Sequence, residues 1–152
     1  MRALMQPHPD TVAHRERVQA LMGEMIWLLD ARAAEHDISK TQSPEVEAFN
    51  AVTDQLAGLE YGSPEYKDAL RDLGPALTHH YAVNRHHAEH WPNGINGMTL
   101  LDLIEVLCDW RAAGERHDSG SMTKSLAINV ARYGIVPQLA QILANTVAEM
   151  GW

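Results

Sequence analysis

Histidine is the residue type that most clearly points to chemistry in this sequence. The chain has nine histidines in 152 residues. Imidazoles on a helix surface lower helix propensity and add no dependable charge, whereas neutral imidazole is the commonest metal ligand in proteins. A polar cluster without a ligand, or adventitious metal binding, would also explain such a tract, but we interpret it as part of a metal site. The five histidines closest together are His79, His80, His86, His87 and His90.

The geometry of a helix limits how many of these imidazoles can face one ion. If the tract is helical, about a third of its circumference can turn toward a core. His79, His86 and His87 share a face with the apolar Val83, so we expect these three histidines to point inward. His80 and His87, which flank Asn84, are the second choice.

A second chemical signal is the adjacent pair His36-Asp37. The same dipeptide recurs at His117-Asp118 in a Gly/Ser-rich loop, and we interpret that copy as chance. The first copy is set apart by its surroundings, because His14 precedes it on the inward stripe of a long predicted helix and Asp109 follows on a later one. Two imidazoles with two carboxylates suit Mn, Fe, Zn, Ni or Co better than Ca.

These residues resemble a known pattern. The order of His14-x-x-Arg17-Val18, then His36-Asp37-Ile38-Ser39-Lys40, then Asp109 resembles the H…HD…D pattern of the HD superfamily of metal-dependent phosphohydrolases. The tract from His79 to Trp91, together with 98–105, also resembles an HD-like family of phage and bacterial proteins.

The resemblance implies a ligand set and a role for one lysine. A first metal would be bound by His14, His36, Asp37 and Asp109. Lys40 falls where many HD enzymes place a lysine near the substrate phosphate. Extra histidines between the HD pair and the last Asp resemble the dinuclear members, so a second ion would draw its ligands from His79, His80, His86 and His87. The expected cofactor is therefore one or two divalent transition metals.

The function that follows is hydrolysis of a nucleotide or another small phosphate ester by a metal-activated water. Lys40, with His86 or His87, would stabilise charge on the phosphate and the leaving group. Two alternatives stay open. One is a di-iron oxygenase on the same scaffold, and the other is a non-enzymatic, metal-stabilised helical adaptor or phage accessory protein.

Asp109 has two rivals on its own helix. Asp102, Glu105 and Asp109 recur on one face, and a solvated acidic stripe explains Asp102 and Glu105 equally well. We prefer Asp109 because the small Ala113 follows one turn later, in a frame that resembles the last HD motif.

The elements that must position these side chains all have helical signals. Apolar residues recur at three- and four-residue spacing, and Ser43-Pro44-Glu45, Ser63-Pro64-Glu65 and Thr99 are helix starts. The sequence predicts an all-α fold, a compact HD-like bundle of about six helices forming a single domain over 1–152. The expected helices cover 10–34, 43–57, 63–90 with a kink at Gly74-Pro75, 99–116, 122–133 and 137–150.

Composition limits the kinds of partner that the protein is expected to bind. A net charge of −8 and a pI near 5.5 argue against a nucleic-acid polymer as partner, since such proteins carry clustered Lys and Arg. The single cysteine, Cys108, excludes an intramolecular disulfide, and its apolar neighbours favour a small core residue. Neither a signal peptide nor a membrane span is visible. We expect a cytoplasmic protein with a small phosphorylated substrate, and a homo-oligomer stays open.

Overall fold

The computed structural model describes residues 6–60, 62–116 and 120–152. The structure is 76% helical, and none of these residues lies in a strand, which confirms the predicted all-α fold class. The described chain has seven α-helices where the sequence predicted about six. They are α1 (Pro9–Glu35), α2 (Glu45–Ala57), α3 (Pro64–Asp72), α4 (Gly74–Val83), α5 (Leu100–Gly114), α6 (Met122–Tyr133) and α7 (Pro137–Glu149).

The contacts divide the chain into two compact units, Met1–Glu35 and His36–Trp152. The described part of the first unit is dominated by α1, in which no residue is buried. The apolar stripe that the sequence predicted to face inward is exposed, including Leu21 and Met25 at 42% and 45%. The prediction of a buried stripe on this helix was therefore wrong. One domain over 1–152 stays a prediction.

The second unit packs its main hydrophobic core between α5, α6 and α7. Helix α5 contributes Val106, Leu107 and Trp110, which recur at the spacing that places them on one face. The core holds α5 in place, and the acidic residues of that helix lie on a different face. The remaining buried members are Met122, Leu126, Ile135, Leu143 and Val147.

Helix α5 begins with a capping box. The Thr99 hydroxyl accepts from the backbone N–H of Asp102, and the Asp102 carboxylate accepts from the backbone N–H of Thr99 at 2.7 Å. The Arg85 guanidinium donates to both carboxylate oxygens of Asp102, at 2.7 and 3.2 Å. Asp102 is fully buried, so its interpretation as part of a solvated stripe was wrong. It fastens the segment after α4 to the start of α5.

The predicted helix over 63–90 is divided in two and ends early. Helix α3 ends at Asp72, and α4 begins at Gly74, whose φ of +41° lies in the left-handed region that favours glycine. Helix α4 ends at Val83 because Asn84 is extended, with φ −105° and ψ 105°. The Asn84 side-chain amide donates to the backbone carbonyl of His80 at 2.9 Å. Such a side-chain bond offers the backbone an alternative to a further helical turn.

Three 3-10 turns complete the described elements: Ile38–Thr41, Ala88–His90 and Gly94–Gly97. Cys108 is exposed, so its prediction as a core residue was wrong. Among the described residues, no helix combines the length and the apolar character that a membrane span requires.

Candidate metal centre

Two adjacent side chains converge at the start of the second unit. Asp37 has φ +55°, a left-handed conformation that Asp tolerates better than most residues. This residue separates α1 from the 3-10 turn Ile38–Thr41. His36 Nε2 lies 3.5 Å from Asp37 Oδ2. Neighbouring residues on a regular helix would diverge, so the turn is what brings the pair together.

One oxygen of Asp37 faces the histidine tract. Asp37 Oδ1 lies 3.4 Å from His80 Nε2 and 3.4 Å from His86 Nε2. His80 Nε2 is in turn 2.8 Å from His87 Nε2. Asp37, His80, His86 and His87 can each offer one ligand atom such that all four lie within 4.8 Å of one another. This group could hold one metal ion.

The other oxygen of Asp37 faces a second group. His36 Nε2 lies 3.7 Å from Asp109 Oδ1, and His36, Asp37 and Asp109 also offer ligand atoms within 4.8 Å of one another. Lys40 donates to Asp37 Oδ2 at 2.5 Å. The two groups share Asp37, so its carboxylate could bridge two cation positions.

Two buried atoms in this cluster lack hydrogen-bond partners in the described structure. They are Asp37 Oδ1 and His86 Nε2, which face each other at 3.4 Å without the geometry of a hydrogen bond. Buried polar atoms are normally satisfied, because an unsatisfied one costs about 1–3 kcal/mol. A carboxylate oxygen and an imidazole nitrogen that both lack a hydrogen-bond partner form a donor set suited to a transition metal. The residues therefore fit a metal ion.

The negative charge of the cluster is partly offset by cations within it. The nearby carboxylates of Asp109 and Glu105 raise the pKa of His36 to about 10, against the opposing effect of burial. Burial raises the pKa of Asp37, but His86 and Lys40 outweigh it, and the net pKa is well below the ordinary value. Burial raises the pKa of Asp109, but the nearby His36 ring outweighs it, and the net pKa is below the ordinary value. An imidazolium and an ammonium thus neutralise carboxylates that a metal could neutralise instead.

The other imidazoles differ. Burial lowers the pKa of His80, and burial together with the nearby His86 and His80 lowers the pKa of His87 to about 3. Both rings are therefore neutral at neutral pH, which is the form that binds metals. For His86, burial lowers the pKa, but the contacts with Asp37 and Glu105 outweigh burial, so the net pKa is raised.

The structure sorts the predicted tract residues. It brings His80, His86 and His87 to Asp37, because the turn after Val83 folds the last two back toward α4. His79 does not join them. Its Nδ1 lies 2.7 Å from Glu45 Oε1, and it belongs to none of the three groups that could hold a metal among the described residues.

The remaining predicted residues are placed as follows. His14 lies on α1 in the first unit with an exposed side chain, and its role as a ligand stays a prediction. Lys40 contacts Asp37, and its role toward a phosphate stays a prediction. The second His-Asp pair, His117-Asp118, lies outside the described residues.

Two glutamates that the sequence did not assign to the site contact its histidines: Glu105, which was a rival of Asp109, and Glu45, which was not a candidate. Glu105 Oε1 lies 3.0 Å from Nδ1 of both His36 and His86, and its side chain is only 11% exposed, so a solvated stripe does not describe it. Glu45 is fully buried and contacts His79 and His80. The sequence signal at Glu45 was a helix start, which gave no reason to expect a buried carboxylate.

Comparison with known proteins gives a family without an assigned activity. A model of a family of unknown function (DUF5662) matches residues 6–149. The chain belongs to this family. Searches of curated proteins and of solved structures returned no match. The resemblance to the HD superfamily stays a prediction.

Proposed function

We propose that this protein is a metal-dependent phosphohydrolase that acts on a nucleotide or another small phosphate ester. The observation that carries the proposal is the position of Asp37, whose two oxygens face different imidazoles, with His80 and His86 at one and His36 at the other. A carboxylate with histidines on both sides suits one or two divalent metals. The resemblance of the HD pair to phosphohydrolases supplies the reaction class.

The chain offers ligands for two ion positions. One or two metals (Mn, Fe, Zn, Ni or Co), when bound, would supply a water of lowered pKa and polarise a phosphoryl oxygen. Asp37 would join both positions, with Asp109 and His36 on one side. We assign His86 and His87 to metal binding. His86 Nε2 faces Asp37 Oδ1, His87 Nε2 lies 2.8 Å from His80 Nε2, and all four residues offer ligand atoms within 4.8 Å of one another.

Lys40 is the residue that we assign to the substrate phosphate. Its ammonium lies beside Asp37 Oδ2 and 5.0 Å from the centre of the Phe49 ring. The side chain is 35% exposed, so the ammonium is accessible from solvent while it is held at the edge of the cluster. When a cation neutralises Asp37, the ammonium is free to pair with a phosphate oxygen.

Phosphate release by metal-loaded protein tests the proposal. Wild-type protein loaded with each of the five metals is assayed with nucleotides and with generic phosphomonoesters and phosphodiesters. Asp37→Asn should lose both metal and turnover, because it removes the shared carboxylate. Asp10→Asn is the matched control, since the Asp10 side chain is 93% exposed, and it should keep both.

Lys40→Ala separates substrate binding from metal binding. It should keep its metal but lose roughly 10- to 100-fold in kcat/KM, as expected for one charge-assisted hydrogen bond of about 1.5–3 kcal/mol. The exposed Lys124 gives the matched control, Lys124→Ala. The proposal fails if metal-loaded wild type releases no phosphate from any substrate, or if Asp37→Asn remains as active as wild type. Turnover that requires bound iron and oxygen would favour the oxygenase instead.

A further inference from the structure

Glu105 contacts two histidines of the cluster through the same kind of ring nitrogen. Its Oε1 lies 3.0 Å from His36 Nδ1 and 3.0 Å from His86 Nδ1. The opposite nitrogens of these rings face Asp37, with His36 Nε2 at 3.5 Å from Oδ2 and His86 Nε2 at 3.4 Å from Oδ1. Each ring therefore spans from an outer carboxylate to the inner one.

Glu45 repeats the arrangement on the other side of the cluster. Its Oε2 lies 2.8 Å from His80 Nδ1, and His80 Nε2 faces Asp37 Oδ1 at 3.4 Å. Ser39 donates its hydroxyl to the same Glu45 oxygen at 2.8 Å. Glu45 is 0% exposed, so its orientation is fixed by these contacts. Three rings thus share one polarity, with Nδ1 on an outer glutamate and Nε2 on Asp37.

We propose that Glu45 and Glu105 are positioning residues that hold His36, His80 and His86 in one tautomer. In that tautomer Nδ1–H donates to the glutamate, and the Nε2 lone pair is directed toward the metal. A hydrogen bond to an outer carboxylate fixes the ring and increases the basicity of the ligating nitrogen. The inference rests on the metal centre of the proposed function, but it does not depend on which reaction occurs there.

A rival arrangement makes Glu105 itself a ligand. Glu105, His36 and His86 also offer ligand atoms within 4.8 Å of one another, which would place an ion on the Nδ1 side. The contacts of 3.0 Å are ordinary N–H to oxygen distances. An ion on the Nδ1 side would also leave the buried His86 Nε2 without a partner, whereas an ion on the Nε2 side satisfies it.

Nuclear magnetic resonance of the zinc-loaded protein distinguishes the two arrangements. Zn²⁺ is diamagnetic, and long-range ¹H–¹⁵N correlation on ¹⁵N-histidine protein shows which ring nitrogen carries the proton and which binds the metal. We expect His36, His80 and His86 to bind through Nε2 and to retain Nδ1–H. Coordination of His36 and His86 through Nδ1 would overturn the proposal, and so would wild-type protein that binds no zinc.

Variants of Glu105 test the positioning role by affinity. Competition with a chromophoric chelator gives the zinc dissociation constant. Glu105→Ala should weaken binding by roughly 10- to 100-fold without changing the number of ions, and its histidine spectrum should show mixed tautomers. Glu105→Gln should recover most of the affinity, because the amide oxygen can still accept from Nδ1–H. Glu115→Ala, at the exposed C-terminal cap of the same helix, is the control and should bind as wild type does.

The outcomes separate this inference from the proposed reaction. Loss of an ion in Glu105→Gln, as expected for removal of a ligand, would overturn the positioning role. Unchanged affinity and tautomers in Glu105→Ala would overturn it as well. Nε2 coordination in a protein that hydrolyses no phosphate ester would support the positioning role and refute only the phosphohydrolase.

Discussion

Zinc binding to the metal-free protein should release about one proton from His36 alone near pH 7.5. The pKa of His36 is raised to about 10 by the nearby carboxylates of Asp109 and Glu105, so the metal-free ring is an imidazolium at this pH. Only neutral imidazole binds a metal, and the proton on Nε2 must leave. An ordinary histidine with a pKa of about 6.5 would release only about 0.1 proton near pH 7.5, because it is already mostly neutral.

The other histidine ligands determine the total number of protons released on zinc binding. His80 and His87 have lowered pKa values, so both are neutral and release nothing. His86 has a raised pKa and adds up to about one further proton. The expected total is therefore about one to two protons, against about 0.4 for four ordinary imidazoles near pH 7.5.

Isothermal titration calorimetry measures this number directly. The observed enthalpy of zinc binding is plotted against the ionisation enthalpy of the buffer. The slope is negative for proton release, and its magnitude, used below, is the number of protons released. His36→Gln should lower the slope by about one proton, and His8→Gln, whose ring is 71% exposed, should leave it unchanged. A wild-type slope near 0.4, or equal slopes for wild type and His36→Gln, would refute the electrostatic account of the cluster.

Two further predictions concern stability and the loop that carries the histidines. The folded pKa of His36, about 10, lies above its unfolded value of about 6.5, so its stabilising contribution is complete below about pH 6.5 and is lost as the pH rises through about 10. In urea melts of chelator-treated protein, the loss of stability caused by His36→Gln should therefore become smaller over that pH range. A loss of stability that stays constant with pH would contradict this. A Cβ at Gly97 would lie 2.5 Å from Asn93 Oδ1 and 2.8 Å from Trp91 Cβ, so Gly97→Ala should lower the melting temperature and weaken zinc binding, whereas Gly114→Ala, with open space at that position, should leave zinc binding unchanged.

The sequence determined the helices because their signals are local. Thr99 was predicted to cap a helix and forms a capping box with Asp102. The helix predicted over 122–133 ends there, where Gly134 adopts the left-handed conformation. Capping bonds join residues within one turn of each other, so a short stretch of sequence contains both partners. The end of α4 at Val83 was missed, because the Asn84 amide also donates to Ser39 Oγ at 2.8 Å, a partner far away in the chain.

The sequence also indicated which residue types would gather, since a dense histidine tract and an HD pair both suit a metal. It could not choose among the histidines, because that choice depends on where the turn after Val83 directs each ring. His80 and His86 face Asp37, and His87 lies beside His80, whereas the neighbouring His79 contacts Glu45 instead. The contacts of Glu45 and Glu105 with the histidines could not be predicted from the sequence either. Glu105 and its partner His36 are separated by 69 positions, and only the packing of α5 against its core decides that a carboxylate on that helix is nearly buried beside two imidazoles.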